Sequence, residues 1–334
     1  MEPESIEPER RGSDLCWSFP SESGKKVWKT CYHTLEGTFT CNCLGFRSHN
    51  HCKHVEYLKG LDISRYLNTE KEENHSASLV EFGLPSLDES LEIELGSLLG
   101  ITGAPMGGKT WLETQMSMKY LADHPDEEAI IVETEGFPMK GFKHLFKCLG
   151  KRFGTEKIPE IRVARGVREL FRLFGINLSW KISEGGKFEL TIQMSQAQLD
   201  FSKYSIIVVD SLSAPLKSVL GTATKNLPAR ADMENTLFGV LQESAESYNC
   251  LIALVNHISR PPQLVARESV FGGANIFYNL KYIIRISMPN KYLYDRVKDR
   301  GRIIRVDRHP YKLLRDELYY VTLEKDFGFK EFEG

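Results

Sequence analysis

The sequence predicts an α/β protein whose main domain is a mostly parallel sheet covered by helices, preceded by a small β-rich unit. From residue 79 onward, short and nearly continuous apolar runs alternate with stretches of helical period. Buried strands that alternate with helices are typical of parallel sheets. Residues 15–63 instead hold three short strand-like segments and one helical segment, and three of the seven cysteines fall between residues 41 and 52.

The composition is that of a globular protein with one large domain or two. The chain has 334 residues, 41% of them hydrophobic and 26% charged, and a formal net charge of −2. These values exclude collagenous, coiled-coil and wholly disordered chains. No apolar run approaches the roughly 18 residues of a membrane helix, and the polar N-terminus cannot serve as the apolar part of a signal peptide. The near-zero charge argues against a uniformly basic surface, although it allows local basic patches.

We expect four segments: a disordered tail (1–14), a cysteine-rich unit (15–63), a linker (64–78) and an α/β domain (79–334). The tail and the linker are polar and lack an apolar period, which is typical of chains without a packed core. In the cysteine-rich unit we predict strands at 17–19, 26–32 and 37–41, followed by a helix at 54–61.

Eight segments of the α/β domain are predicted strands, and the helices between them are clearest in two places. The predicted strands are Leu98–Thr102, Ala129–Glu133, Ile161–Ala164, Tyr204–Asp210, Cys250–Asn256, Lys281–Ile286, Arg302–Val306 and Leu318–Leu323. The predicted helices are Thr110–Leu121 and Asp232–Ser247.

A phosphate-binding loop is the strongest motif, and it lies between the first of these strands and the first helix. The residues that match GxxxxGK[ST] are Gly103, Ala104, Pro105, Met106, Gly107, Gly108, Lys109 and Thr110. Glycines let backbone N–H groups converge on phosphate oxygens, and the helix N-terminus adds a favourable dipole. Lys109 can neutralise the β- and γ-phosphates, and the Thr110 hydroxyl can bind Mg²⁺. A chance glycine turn is the alternative, which the strand-to-helix context disfavours.

Polar side chains follow three other predicted strands. Asp210 ends an apolar run and could hold Mg²⁺ through water, although an aspartate that caps a helix is a common alternative. Glu135 follows Glu133 past a strand end and could polarise water for attack on a γ-phosphate; the alternative is a solvated loop acid. Asn256 and His257 could sense that phosphate, although residue type alone favours a simple strand-ending turn.

The clustered cysteines have the spacing CxCx8CxH, which suits tetrahedral zinc. The predicted ligands are Cys41, Cys43, Cys52 and His54. Rival ligands are His49, His51 and Cys31, and the other cysteines (Cys16, Cys148 and Cys250) are predicted to be ordinary core or surface residues. Four protein ligands leave no open position, so we expect a structural site that contributes to folding. Free buried cysteines are the alternative.

A basic segment near the C-terminus is a candidate DNA surface. Residues 291–315 hold nine basic and three acidic side chains, interleaved with Tyr292, Tyr294 and Tyr311. Such a segment can neutralise phosphates and stack bases, although basic residues also protect sheet edges. The candidate DNA contacts, which include three arginines outside this segment, are Arg230, Arg260, Arg267, Arg300, Arg302, Arg305 and Arg308.

Together, five motifs resemble the RecA-type recombinase ATPases, especially the archaeal RadA and RadB group. The lead-in is Phe82–Asp88, and it is followed by Thr134-Glu135-Gly136 and Val209-Asp210-Ser211. Asn256-His257 and Gly272-Gly273 match two later segments of the family. His257 stands where the family usually has glutamine, the loop 258–270 is short, and residues 176–198 are unusually β-rich. The family's N-terminal helix-hairpin-helix domain is also missing.

This resemblance implies a RecA-like ATPase core that uses ATP and Mg²⁺, with Glu135 as catalytic base assisted by Lys109. It implies slow, DNA-stimulated hydrolysis, and a nucleotide switch with negligible turnover stays an alternative. The implied partners are single-stranded DNA and a RadA-type recombinase or other RecA paralogue, in homologous recombination and repair. We expect no membrane partner, we leave oligomerisation open, and we expect a cytoplasmic location, or a nuclear one in a eukaryote.

The cysteine pattern resembles the SWIM zinc finger, which implies a module that binds DNA or protein. The same features allow a different class of function, namely a KaiC-like signalling or scaffold ATPase whose finger binds protein.

Overall fold

The computed structural model describes two compact units, residues 1–78 and residues 79–334. The residues described are 9–11, 14–21, 27–33, 38–43, 46, 51–60, 79–182, 188–220, 226–259, 269–270, 279–312, 314 and 317–332. The predicted linker and the Gly272-Gly273 segment lie outside these residues. Among the helices of the described residues, none combines the length and the apolar character needed to cross a membrane.

In the part of the chain that the structure describes, the small unit contains an antiparallel four-stranded sheet and the helix α1. Its elements are β1 (Glu9–Arg11), β2 (Asp14–Pro20), β3 (Val27–His33), β4 (Thr38–Cys41) and α1 (Lys53–Lys59). Alternate residues of β2 share one face, so Leu15, Trp17 and Phe19 are buried together with Leu58 of α1. β1 lies inside the predicted disordered tail, and that prediction is wrong for residues 9–11 because their backbone pairs with β2.

Two cysteines of this sheet form a disulfide that the sequence did not indicate. Cys16 and Cys31 lie directly opposite each other on β2 and β3, with Cα atoms 4.1 Å apart. The prediction that Cys16 is an ordinary residue is therefore wrong, and Cys31 is not available as a zinc ligand. The register of the antiparallel pair, which cysteine spacing does not reveal, brings the two thiols together.

Among the described residues, the large unit contains a mixed sheet flanked by helices, together with a separate hairpin and a two-residue strand pair. Its strands are β5 (Leu79–Val80), β6 (Ile93–Glu94), β7 (Leu98–Gly103), β8 (Ala129–Glu133), β9 (Glu160–Val163), β10 (Ile176–Ile182), β11 (Phe188–Met194), β12 (Ile206–Asp210), β13 (Leu251–Ser259), β14 (Ser269–Val270), β15 (Tyr282–Ser287), β16 (Gly301–Arg308), β17 (Leu318–Glu324) and β18 (Gly328–Glu331). Its α-helices are α2 (Pro85–Leu91), α3 (Lys109–Asp123), α4 (Met139–Phe153), α5 (Val167–Leu173), α6 (Ser213–Leu220), α7 (Leu227–Tyr248) and α8 (Lys291–Val297).

The strand order of the main sheet is β18-β17-β16-β15-β7-β13-β12-β8-β9. The six neighbouring strands β15, β7, β13, β12, β8 and β9 pair in parallel. β16, β17 and β18 extend the sheet in antiparallel fashion. β10 and β11 form a separate hairpin in the segment that the sequence marks as β-rich. The predicted α/β class with a mostly parallel sheet is confirmed.

Both faces of the central strands are buried, which explains their continuous apolar runs. In β8, Ile130 and Val132 enter one apolar core, whereas Ala129 and Ile131 enter the other. β12 and β13 alternate in the same way between the two cores. Burial on both faces is the property of parallel strands that are covered by helices on each side.

The register of the parallel strands brings the predicted polar residues to one edge. Asp210 pairs with Glu133, Asn256 with Thr102, and His257 with Gly103. The carboxyl ends of these strands therefore meet at the start of α3, which is where ligands bind in open α/β sheets.

The β17–β18 hairpin, with its turn at residues 325–327, is fastened to two helices. The amide of Gln115 in α3 donates to the carbonyl of Phe329 and accepts from its N–H, at 3.1 and 2.7 Å. Arg152 of α4 donates to the carbonyls of Phe327 and Phe329. The hairpin is thereby held beside the phosphate-binding loop.

Candidate functional site

The predicted phosphate-binding loop joins β7 to α3, and Lys109 folds back over it. The ammonium Nζ donates to the carbonyls of Ala104 at 2.9 Å and Gly103 at 3.3 Å. Gly108 has a φ of 98°, and a Cβ there would approach the Phe329 ring to 2.7 Å. Glycine is therefore required at this position both by its left-handed backbone and by the close packing of the hairpin.

Two carboxyl groups and a hydroxyl lie where a magnesium ion would be expected. The Thr110 hydroxyl donates to Oδ2 of Asp210 at 2.8 Å. Burial raises the pKa of Asp210. Glu113, one turn along α3, is fully buried and its carboxyl group lies beside that of Asp210. Burial and, after it, the Asp210 charge raise the pKa of Glu113 well above its ordinary value. Such oxygen ligands suit Mg²⁺.

Glu113 was missed in the sequence analysis. The signal was an acid three residues after Thr110, flanked by buried positions of the same helix. A buried carboxyl is costly to ionise unless it meets a cation.

The two glutamates after β8 have different roles. One carboxylate oxygen of Glu133 accepts from the backbone N–H of Glu135 at 2.7 Å and of Phe137 at 2.8 Å. Glu133 is thus buried and holds the turn. Glu135 extends from that turn, and its Oε1 accepts from the Ser211 hydroxyl and lies 2.5 Å from Nε2 of His257.

His257 links the two predicted catalytic groups. Its Nδ1 lies 3.3 Å from Nζ of Lys109, while its Nε2 faces Glu135. An ammonium can only donate, so Nδ1 accepts and Nε2 carries the ring proton. The hydrogen bonds from His257 and then Ser211 outweigh burial and lower the pKa of Glu135 to about 2. Burial lowers the pKa of Lys109, against the charges of Asp210 and Glu135.

Asn256 is the other predicted residue at the end of β13. Its side chain is completely buried, and neither amide atom has a hydrogen-bond partner among the described residues. An unpaired buried amide is costly, so its presence beside the phosphate-binding loop fits a site that receives a polar ligand. The roles assigned to these residues from the sequence stay predictions.

Arg302 does not lie where a DNA contact would. It is 7% exposed, and its guanidinium donates to Gly107 O at 2.9 Å and to Met106 O at 3.4 Å. Two further donations go to the carbonyls of Asp299 and Gly301. Its prediction as a DNA contact is wrong, because β16 turns it towards the phosphate-binding loop instead of solvent.

The remaining arginine candidates differ in their surroundings. Arg300 is exposed, Arg308 is half-buried, and Arg305 pairs with Asp307 at 2.7 Å. Arg230 lies 3.8 Å from the buried carboxyl of Glu234. Arg260 and Arg267 lie outside the described residues.

The aromatic side chains of the basic segment are at the surface. Tyr292, Tyr294 and Tyr311 are all exposed. The Arg296 guanidinium of α8 lies 3.8 Å from the Tyr292 ring centroid, and the ammonium of Lys298, the residue after α8, lies 5.5 Å from that of Tyr294. α8 and the residue that follows it therefore present two cation–aromatic pairs.

In the small unit, the four predicted zinc ligands converge. The ligand atoms of Cys41, Cys43, Cys52 and His54 all lie within 4.8 Å of one another, and all four residues are buried. Cys41 Sγ is 3.6 Å from His54 Nδ1, close to the spacing of about 3.6 Å that zinc bond lengths imply for a tetrahedral site. Burial lowers the pKa of His54, and so favours the neutral imidazole that ligates metals. The cluster could therefore bind zinc.

Two of the three rival zinc ligands lie outside this cluster. His51 is exposed, and its Nε2 lies 2.8 Å from a carboxylate oxygen of Glu56. Cys31 is in the disulfide, and His49 lies outside the described residues.

Comparison with known proteins supports the fold. A solved structure titled "Crystal structure of the RadB recombinase" is similar to this chain, with a TM-score of 0.54 and 18% identity, over 76% of this chain and all of that one. At this identity the likeness shows a RecA-like fold and no more. No protein-family profile and no curated protein matches the chain.

Proposed function

We propose that this chain is a RecA-family paralogue that binds ATP with Mg²⁺, hydrolyses it slowly and assists homologous recombination and DNA repair. The observation that carries the proposal is the hydrogen-bonded series Lys109–His257–Glu135 at the phosphate-binding loop. It joins the group that would contact the γ-phosphate to the group that would orient water.

The nucleotide roles follow from the positions of the side chains. Lys109 would leave the loop carbonyls for the β- and γ-phosphates. Thr110 and Asp210 would hold Mg²⁺, which would neutralise phosphate charge. The carboxyl group of Glu113, beside Asp210, would be a further oxygen ligand. His257 would lose its Lys109 partner when a phosphate binds, so the imidazole would respond to the γ-phosphate.

Slow turnover follows from the weak basicity of the Glu135 carboxylate. A cleft open to solvent borders Glu135, Arg165 and His257, so water can reach the carboxylate. However, a general base is most effective when its pKa is near the working pH, and that of Glu135 is lowered to about 2. We therefore expect hydrolysis that is slow until a partner rearranges the contacts of Glu135.

The proposed partners are single-stranded DNA and a RadA-type recombinase. The cation–aromatic pairs at α8 and the exposed Arg300 offer both charge and stacking surface, which sequence-tolerant binding to single strands uses. The small unit would be a SWIM-type zinc finger that adds a second contact to DNA or protein.

The nucleotide assignment is tested by binding and hydrolysis. Lys109→Ala should weaken ATP binding about 100-fold, because charge-assisted phosphate contacts are lost. Lys119→Ala, on the same helix but paired with Asp123 and Glu81, is the matched control and should bind normally. Equal affinities of the two variants, measured by calorimetry, would refute the site.

Hydrolysis separates an ATPase from a switch. Glu135→Gln should bind ATP normally and hydrolyse it about 100-fold more slowly, whereas the exposed Glu156→Gln control should match the wild type. Rates are measured with and without oligothymidine. An unchanged rate in Glu135→Gln would leave only the nucleotide-switch role. If ATP never alters DNA affinity, alone or with a recombinase, the recombination role fails, and zinc-dependent capture of a protein would favour the KaiC-like scaffold.

A further inference from the structure

A second group of metal-ligating side chains lies where the β17–β18 turn meets α4. His144 and Cys148 are four residues apart on α4, so they share one face of the helix. Asp326 belongs to the turn of the hairpin. The ligand atoms of the three residues all lie within 4.8 Å of one another. Neither the nucleotide site nor the cysteine cluster includes any of them.

The spacing of these atoms suits a metal ion. Cys148 Sγ lies 3.8 Å from Nδ1 and 3.7 Å from Nε2 of His144. Zinc bond lengths to sulfur and nitrogen imply a separation of about 3.6 Å in a tetrahedral site. The sulfur is thus near ligand spacing from the imidazole, and because it is almost equally far from both nitrogens, a rotation of the His144 side chain would direct Nδ1 towards a shared ion.

The surroundings orient the imidazole and the turn. His144 Nε2 lies 3.3 Å from the backbone carbonyl of Lys325. An N–H donated there leaves Nδ1 as the free lone pair, the arrangement that metal-binding histidines use. Arg152 donates to two carbonyls of the hairpin, and its guanidinium lies 4.5 Å from the Phe327 ring centroid. The turn that carries Asp326 is therefore held on α4 before any ion binds.

The exposure of the three residues indicates whether Cys148 is a metal ligand or a nucleophile. Cys148 is only 7% exposed, whereas His144 and Asp326 are exposed. A thiol that acts on a solute needs access that Cys148 lacks. An ion could instead enter from the exposed side and contact the buried sulfur from within the group.

We propose that His144, Cys148 and Asp326 bind Zn²⁺, with a fourth position left to water. One thiolate, one imidazole and one carboxylate form a donor set of the kind that zinc accepts in open sites. The ion would fasten the β17–β18 hairpin to α4. Because Phe329 of this hairpin packs against Gly108, the ion would stabilise the wall of the phosphate-binding loop.

The test counts metal in the full-length chain. Wild-type protein and variants are dialysed to equilibrium against buffered micromolar Zn²⁺, and bound zinc is measured by elemental analysis. Cys148→Ser and Asp326→Asn should each bind one equivalent less than the wild type. Asp126→Asn, which removes a different exposed turn aspartate, should bind as much as the wild type. This difference does not depend on whether the Cys41 cluster is loaded.

Asp326→Asn changes an exposed side chain, so it also serves if Cys148→Ser folds poorly. Identical zinc content in the wild type and Asp326→Asn would overturn the proposal. Hydrogen exchange gives a second readout: Zn²⁺ should slow exchange at Gly328–Glu331 in the wild type and not in Asp326→Asn. Zinc bound without that protection would overturn the fastening role.

Discussion

In the small unit the candidate metal ligands are themselves part of the core, whereas in the large unit the candidate nucleotide site lies at the edge of a large apolar core. One apolar cluster of the small unit has four fully buried members, and the other consists of Val55 and three cysteines of the proposed zinc site. The large unit buries both faces of its central strands. This difference leads us to expect that zinc is a condition of folding in the small unit. The nucleotide should instead bind to a large unit whose apolar core does not include it.

Removing the metal ion of the Cys41 cluster should unfold the small unit alone, which is the largest effect we expect. Structural zinc contributes on the order of 10 kcal/mol to small domains, more than a core of this size supplies. Cys43→Ser should therefore abolish the native environment of Trp17, while ATP binding by the large unit stays intact. Tryptophan fluorescence and nucleotide calorimetry measure the two outcomes on the same sample.

The control for zinc removal is Cys250→Ala, which removes a buried thiol of the large unit outside the cluster. It should leave tryptophan fluorescence unchanged. If the small unit stays folded in Cys43→Ser, then the sheet and the Cys16–Cys31 disulfide suffice, and the contrast between the two units disappears.

Much of the fold, and the edge where the site forms, could be predicted because those signals are local. The run at Ala129–Glu133 gives the observed strand, and GxxxxGK[ST] fixes the start of α3 near Lys109. The Cys16–Cys31 disulfide depends on register, which no local pattern records. Arg302 was assigned to the surface because charged residues are usually exposed, but its place on β16 turns it inward.

The stability of the large unit should depend on pH through a buried carboxyl group. Glu234 of α7 is 1% exposed, and its carboxyl oxygens have no hydrogen-bond partner among the described residues. Burial raises its pKa from 4.5 to about 7, against the charge of Arg230. The native state therefore holds this proton more tightly than the unfolded chain, so stability is lost as pH rises from 4.5 to 7.

Glu234→Gln removes this titration and should therefore stabilise the large unit above neutral pH. The gain over the wild type should be on the order of 3 kcal/mol at pH 8 and near zero at pH 4, as measured by urea denaturation. Glu243→Gln, an exposed change on the same helix, should show no such pH dependence. A gain that is equal at both pH values would point to packing instead of ionisation.

The smallest effect that we expect distinguishes two arginines of the basic segment 291–315. It tests whether the phosphate-binding loop of the large unit has its shape before a nucleotide binds. Arg302 donates to four backbone carbonyls at or near the phosphate-binding loop, whereas the partly exposed Arg305 pairs with the nearly buried carboxylate of Asp307. Arg302→Met keeps the apolar stem but frees those carbonyls, so the loop should lose its fixed shape. We expect ATP affinity to fall about tenfold, which corresponds to about 1.4 kcal/mol.

Arg305→Met is the matched control on the same strand. It should leave ATP affinity unchanged while lowering the salt dependence of DNA binding by about one phosphate contact. Calorimetry with ATP and a salt titration with oligothymidine measure the two responses. The reverse pattern, with Arg302→Met losing DNA and keeping ATP, would mean that β16 faces DNA after all. A loss of ATP affinity in Arg302→Met alone would show that a buried arginine shapes the loop that receives the nucleotide.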